Sequence, residues 1–97
     1  MNRNLPLLCP SCSQSLIVRN LQCLNCETLV NGHFVLPVLA RLSADDQQFI
    51  IEFVKKSGSL KEMSKSLGFS YPTVRNMLNE LIERVISAEN QIDNNND

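Results

Sequence analysis

All four cysteines of this 97-residue chain fall within residues 9–26, where they read CPSC and CLNC with ten residues between the pairs. No other feature restricts the fold as strongly. A segment of about 40 residues buries too little apolar surface to stay ordered without a crosslink or a metal. Two Cys-x-x-Cys pairs suit a tetrahedral zinc site. Each pair turns tightly and presents two sulfurs on one side, and four thiolates close the coordination shell. The expected ligands are Cys9, Cys12, Cys23 and Cys26, holding Zn2+ in a structural role, because a closed shell leaves no open position for catalysis. A disulfide framework needs an oxidising compartment, and the start MNRNLPLLCPSC lacks the apolar core of a secretory signal. A thioredoxin-like redox pair needs a βαβ pattern, which is absent. A thiol- or metal-responsive switch, in which zinc loss is the signal, stays open as an alternative. His33, the one histidine, reads as a polar residue on the outer face of a strand rather than as a substitute ligand.

Around these pairs the pattern is that of a zinc ribbon. Leu16, Ile17 and Val18 read as a strand, Arg19-Asn20 as a turn, and Leu21 as the start of the return. Asn31-Gly32, flanked by Thr28-Leu29-Val30 and His33-Phe34-Val35-Leu36, is the dipeptide that best closes a two-residue hairpin, since both positions accept positive φ. Pro37 and a short connector follow.

From Ser43 the apolar period becomes helical. Ser43 is a good N-cap with Asp45 and Asp46 in the first turn, and Phe49, Ile50, Phe53 and Val54 form one stripe. Gly58 is expected at the C′ position. Ser59 and Glu62 form a capping box opening a second helix with Leu60, Met63 and Leu67 on its inner face. Gly68 closes that helix, and Ser70 caps a third with Pro72 in its first turn and Val74, Leu78, Leu81, Ile82 and Val85 as its buried stripe. Two helices joined by LGFS make a helix-turn-helix. The third helix leaves Tyr71, Thr73, Arg75, Asn76 and Asn79 exposed, with no acid before Glu80. A guanidinium suits guanine and amides suit adenine, so Arg75, Asn76 and Asn79 are expected to read bases. Ser70, Thr73, Lys61 and Lys65 are expected to contact the DNA backbone, Tyr71 either to do the same or to cover the start of the helix, and the helix N-termini at Ser59 and Ser70 are further phosphate sites.

Charge permits such a partner locally but not globally. The net charge is −1, yet residues 55–86 carry six cations against three carboxylates, while Glu89, Asp93 and Asp97 make the end acidic. No apolar run approaches the roughly 18–20 residues that span a bilayer, so no membrane role is expected and a cytoplasmic location is. The fold class is read as α+β. A β zinc ribbon over residues 1–40 precedes an all-α trihelical helix-turn-helix domain over 41–88 and a disordered polar tail over 89–97.

CPSC and CLNC followed by GHFVLP, and then KKSGSLKEMSKSLGFSYPTVRNMLNEL, resemble a small uncharacterised prokaryotic family, a domain of unknown function. Its members pair an N-terminal zinc ribbon with a C-terminal helix-turn-helix. The second half is also similar to sigma-factor region 4 and to response-regulator output domains. The resemblance implies a transcriptional regulator. Ser13 departs from the glycine common after the second cysteine of a zinc knuckle. The expected function is sequence-specific binding of double-stranded DNA, as a homodimer reading two half-sites. The alternative is a protein-interaction adaptor on RNA polymerase or a sigma factor. With no nucleophile, paired carboxylates or phosphate-cradling loop, no enzyme activity is expected.

Overall fold

The computed structural model describes residues 5–94, with side chains to residue 90. The chain divides into two compact units, Met1–Pro37 and Val38–Asp97. The fold is α+β, a two-stranded sheet followed by three helices.

In the first unit, β1 (Val18–Gln22) pairs antiparallel with β2 (Leu29–Phe34), with Leu21 opposite Val30 and Gln22 opposite Leu29. Two sequence expectations fail here for one reason. Arg19-Asn20 is not a turn but lies inside β1, and Asn31-Gly32 is not a hairpin loop but lies inside β2, where Asn31 pairs with Asn20. The chain reverses instead at the second cysteine pair. There Cys23 N–H donates to Thr28 O at 2.9 Å, and Glu27 N–H donates to Cys23 O at 2.9 Å. That closure sets the register, and the local preference of Asn-Gly yields to it. The register slips between Val18 and Asn20. Near this irregularity Gly32 makes room for an aromatic ring, since a Cβ there would lie 2.6 Å from Phe34 Cζ.

The second unit starts with a 3-10 turn (Leu39–Arg41), then α1 (Ala44–Lys55), α2 (Leu60–Leu67) and α3 (Tyr71–Asn94). Ser43 Oγ accepts from Asp46 N–H at 3.1 Å and Ser59 Oγ from Glu62 N–H at 3.2 Å, so both caps form. In place of the reciprocal half of the capping box, Ser59 N–H donates to Lys56 O, and the Glu62 carboxylate pairs with Lys65 at 3.8 Å. The end of α1 also differs from expectation. Gly58 N–H donates to Phe53 O and Ser57 N–H to Val54 O, a Schellman closure in which Ser57, at φ 57°, holds C′ and Gly58 follows it.

Two apolar clusters hold the helices together. Met63 and Val74 have no exposed surface, and with Leu60 they pack against Phe49, Phe53 and Leu78. Leu42, Leu81 and Ala88 form the other cluster with Val38, Phe49, Ile50 and Val85. The buried line of α3 is therefore Val74, Leu78, Leu81, Val85 and Ala88. Ile82, expected in that stripe, is exposed, as is Leu67 of α2. Steps of four and three keep Ala88 on the core line and turn Ile82 off it. Ala88 also explains a second departure. Residues 89–94, expected to be disordered, continue α3 to Asn94, because the anchored turn at Ala88 nucleates helix that Glu and Gln propagate cheaply. The remainder of the expected tail, 95–97, lies outside the described residues.

Candidate metal centre and nucleic-acid interface

The two cysteine turns are built alike. Cys9 N–H donates to Gln14 O at 2.8 Å and Ser13 N–H to Cys9 O at 2.8 Å, matching the Cys23–Thr28 and Glu27–Cys23 bonds at the second turn. The residue after each second cysteine is left-handed, with φ 63° at both Ser13 and Glu27. Both turns thus place a side chain where glycine is cheapest. Replacing either residue (Ser13→Gly or Glu27→Gly) is expected to stabilise the ribbon by about 1 kcal/mol. The amide signals of residues 5–37 followed through a urea titration would read this as a higher midpoint.

Donors converge on the sulfurs. The backbone N–H groups of Cys12, first, and of Ser11, at 3.3 Å from Cys9 Sγ, hold the Cys9 thiol below its ordinary value, with a further contribution from the Cys12 thiol. The Thr28 hydroxyl, 2.9 Å from Cys26 Sγ, is the main cause of the lowered Cys26 value, followed by the Thr28 N–H and the Cys23 thiol. N–H and O–H groups aimed at sulfur are what a coordinated thiolate requires, so the donor set fits zinc. Cys12, Cys23 and Cys26 are exposed and Cys9 is half-buried. Among the described residues no three His, Cys, Asp or Glu groups form a cluster able to hold a metal. A cation held by both turns would neutralise the four thiolates. His33 is exposed on β2.

In the helical unit, Gly68 at φ 75° ends α2, and Ser64 Oγ donates to Phe69 O across the turn. Ser70 caps α3: Thr73 N–H donates to Ser70 Oγ at 3.4 Å, and the two hydroxyls lie 2.9 Å apart. Opposite buried Val74 and half-buried Leu78, every expected contact residue is exposed: Lys61, Lys65, Ser70, Tyr71, Thr73, Arg75, Asn76 and Asn79. Arg75 and Asn79, four apart, share one face of the helix, with Asn76 beside them.

The cations of this unit are mostly engaged. Lys55 and Lys56 share Glu52 at 3.5 and 3.8 Å, and Lys65 pairs with Glu62. Arg84 forms a two-bond fork with Asp46, with Nε and Nη2 each 2.8 Å from a carboxylate oxygen, and that carboxylate raises its pKa. Local patterning carried no sign of the Arg84–Asp46 bridge, whose partners are 38 residues apart. Among the described residues no ion pair engages Lys61 or Arg75. No described helix is long and apolar enough to cross a membrane.

Residues 9–40 match the family model described as "DUF2089 zinc ribbon". Residues 42–86 match the one described as "Domain of unknown function (DUF2089)-HTH". No curated protein and no solved structure matches the chain.

Proposed function

Because the chain belongs to the DUF2089 family, whose zinc ribbon and helix-turn-helix regions it carries in that order, we propose that it is a sequence-specific DNA-binding transcriptional regulator with a structural zinc site. One observation carries this reading. Residues 71–79 of α3 follow a left-handed glycine turn and hold Arg75, Asn76 and Asn79 exposed together, with no carboxylate among them. α3 enters the major groove with its N-terminal half, and α2 crosses the backbone. Arg75 donates two N–H groups to one guanine, and Asn76 and Asn79 each offer a donor and an acceptor to adenine. Lys61, Ser70, Tyr71 and Thr73 set the register on phosphates.

Cys9, Cys12, Cys23 and Cys26 would hold the zinc. When bound, it supplies a four-thiolate crosslink between the two cysteine turns and no catalytic position. The reading gives the chain no catalytic role.

So few unpaired cations imply a shallow salt dependence and leave affinity resting on base contacts. Selection of binding fragments from genomic DNA at two salt concentrations tests this, with recovery of a shared motif at the higher salt as the expected result. Arg75→Ala is expected to cost about 1–3 kcal/mol at one base position and to relax preference there. Arg75→Ala binding with wild-type preference would count against the assignment. A second reading, an adaptor for RNA polymerase or a sigma factor, draws on the apolar surface of the ribbon. Leu24, between Cys23 and Cys26, is 99% exposed, and Leu21, Leu29 and Val30 are exposed with it. Absence of any DNA motif would favour this alternative.

A further inference from the structure

The two cysteine turns share a backbone and differ in one side chain. Gln14 and Thr28 hold the same place, two residues after the second cysteine of each pair. The carbonyl of each accepts from the first cysteine, Cys9 N–H at 2.8 Å and Cys23 N–H at 2.9 Å. Only at Thr28 does the side chain also reach sulfur, with its hydroxyl 2.9 Å from Cys26 Sγ. Among the described residues no hydroxyl stands at that distance from Cys9, Cys12 or Cys23. We propose that Thr28 is a positioning residue of the metal centre, whose hydroxyl donates to the Cys26 thiolate, steadies that ligand and shields it from soft electrophiles. The exposed Cys12 and Cys23, which have no such donor, are then the sulfurs that an electrophile reaches first. This inference rests on the zinc reading proposed above.

The direction of the bond follows from the chemistry of ligation. In a free thiol either atom can donate, but a sulfur that ligates zinc has given up its proton. The hydroxyl then holds the only proton between the two atoms, so Thr28 donates. Its placement is fixed before any metal arrives. The Cys23 bond anchors the Thr28 backbone, and a β-branched side chain has few χ1 rotamers to lose. One residue thus ties the backbone of Cys23 to the sulfur of Cys26, as outer partners of metal ligands do. Packing does not explain the side chain, because Thr28 and Cys26 are both exposed. An electrophile is attacked by a sulfur lone pair of the thiolate. A hydrogen bond to a charged acceptor occupies one lone pair and draws off charge, so Cys26 should react more slowly than its exposed neighbours.

Pulse alkylation of the zinc-loaded full chain with iodoacetamide tests this, after zinc has been counted against protein. Each event forms one S–CH2 bond and releases iodide. Peptide mapping at low conversion, where each chain has been hit once, gives the order of the four sulfurs. In the wild type Cys26 should follow Cys12 and Cys23. Thr28→Val keeps the branched shape and removes the donor, so it should raise the Cys26 rate to that of Cys12 and leave the other three sulfurs in their order. Thr28→Ser, which keeps the hydroxyl, should restore the protection. In competition with a chelator, Thr28→Val should bind zinc about tenfold more weakly, the lower end of what outer partners of metal ligands contribute. A wild type in which Cys26 reacts as fast as Cys12 overturns the proposal without recourse to any variant. A valine variant that speeds all four sulfurs alike overturns it too, since that is the mark of a merely structural residue. Zinc bound with either of those results overturns the role of Thr28 alone, whereas a chain that binds no zinc overturns the metal reading and this role with it.

Discussion

Chelating zinc from the full-length protein at neutral pH is expected to collapse the amide dispersion of residues 5–37 while the helices of residues 44–94 keep theirs. The ribbon has little else to hold it. Leu36 is its one buried hydrophobic among the described residues, while Leu21, Leu24, Leu29, Val30, Phe34 and Val35 are exposed. A hairpin of five and six residues is marginal in water by itself. Against that stands the binding of zinc to four thiolates, worth about 10–16 kcal/mol in small zinc modules near pH 7, so metal binding and folding of this unit are one equilibrium. The helical unit draws its buried clusters from Val38 to Ala88 and needs no metal. Heteronuclear NMR before and after chelation, with free thiols counted in parallel, reads the outcome. Cys12→Ser should reproduce part of the loss. A ribbon that stays dispersed with four titratable thiols would show that its order comes from elsewhere.

Met63→Ala carries the second large effect. Met63 has no exposed surface and lies with Val74 where α2 packs on α3, against Phe49, Phe53 and Leu78. Truncating a fully buried methionine costs about 2–5 kcal/mol, the upper end applying where neighbours cannot collapse into the space. Here a stacked pair, Phe49 and Phe53 with centroids 6.4 Å apart, borders the site and resists collapse. A small domain holds only about 5–15 kcal/mol in total, and α2, at eight residues, is too short to persist without its packing. The urea midpoint of the helical signal should therefore fall steeply, and α2 should lose hydrogen-exchange protection first. A loss below about 1 kcal/mol would mean that the core repacks around the smaller residue.

How much of this was legible in the residues varies element by element. The caps at Ser43, Ser59 and Ser70 and the left-handed stop at Gly68 were readable, because each needs only atoms within about four residues. The exposed face of Arg75, Asn76 and Asn79 followed from helical period once Val74 and Leu78 were placed inside. Ser57 at C′ was missed, since Gly58 beside it is the more usual occupant. The ribbon strands were misread at Arg19-Asn20 and Asn31-Gly32 because strand pairing is a contest between distant segments. A local dipeptide preference loses to a turn closed by the Cys23–Thr28 and Glu27–Cys23 bonds. The exposure of Ile82 and the burial of Ala88 were invisible to a stripe drawn from hydrophobicity alone.

The order of the two units, the donor set for zinc and the polar reading face of α3 were determined by the sequence itself, since spacing and period along one segment suffice for each. Tertiary structure alone decided which strand residues pair and that Arg84 is held by Asp46 rather than left for a polyanion. It also decided that Ile82 and Ile86 border an open apolar groove. Each of these depends on segments far apart in the chain arriving at one place, and no local pattern encodes where the partner will be.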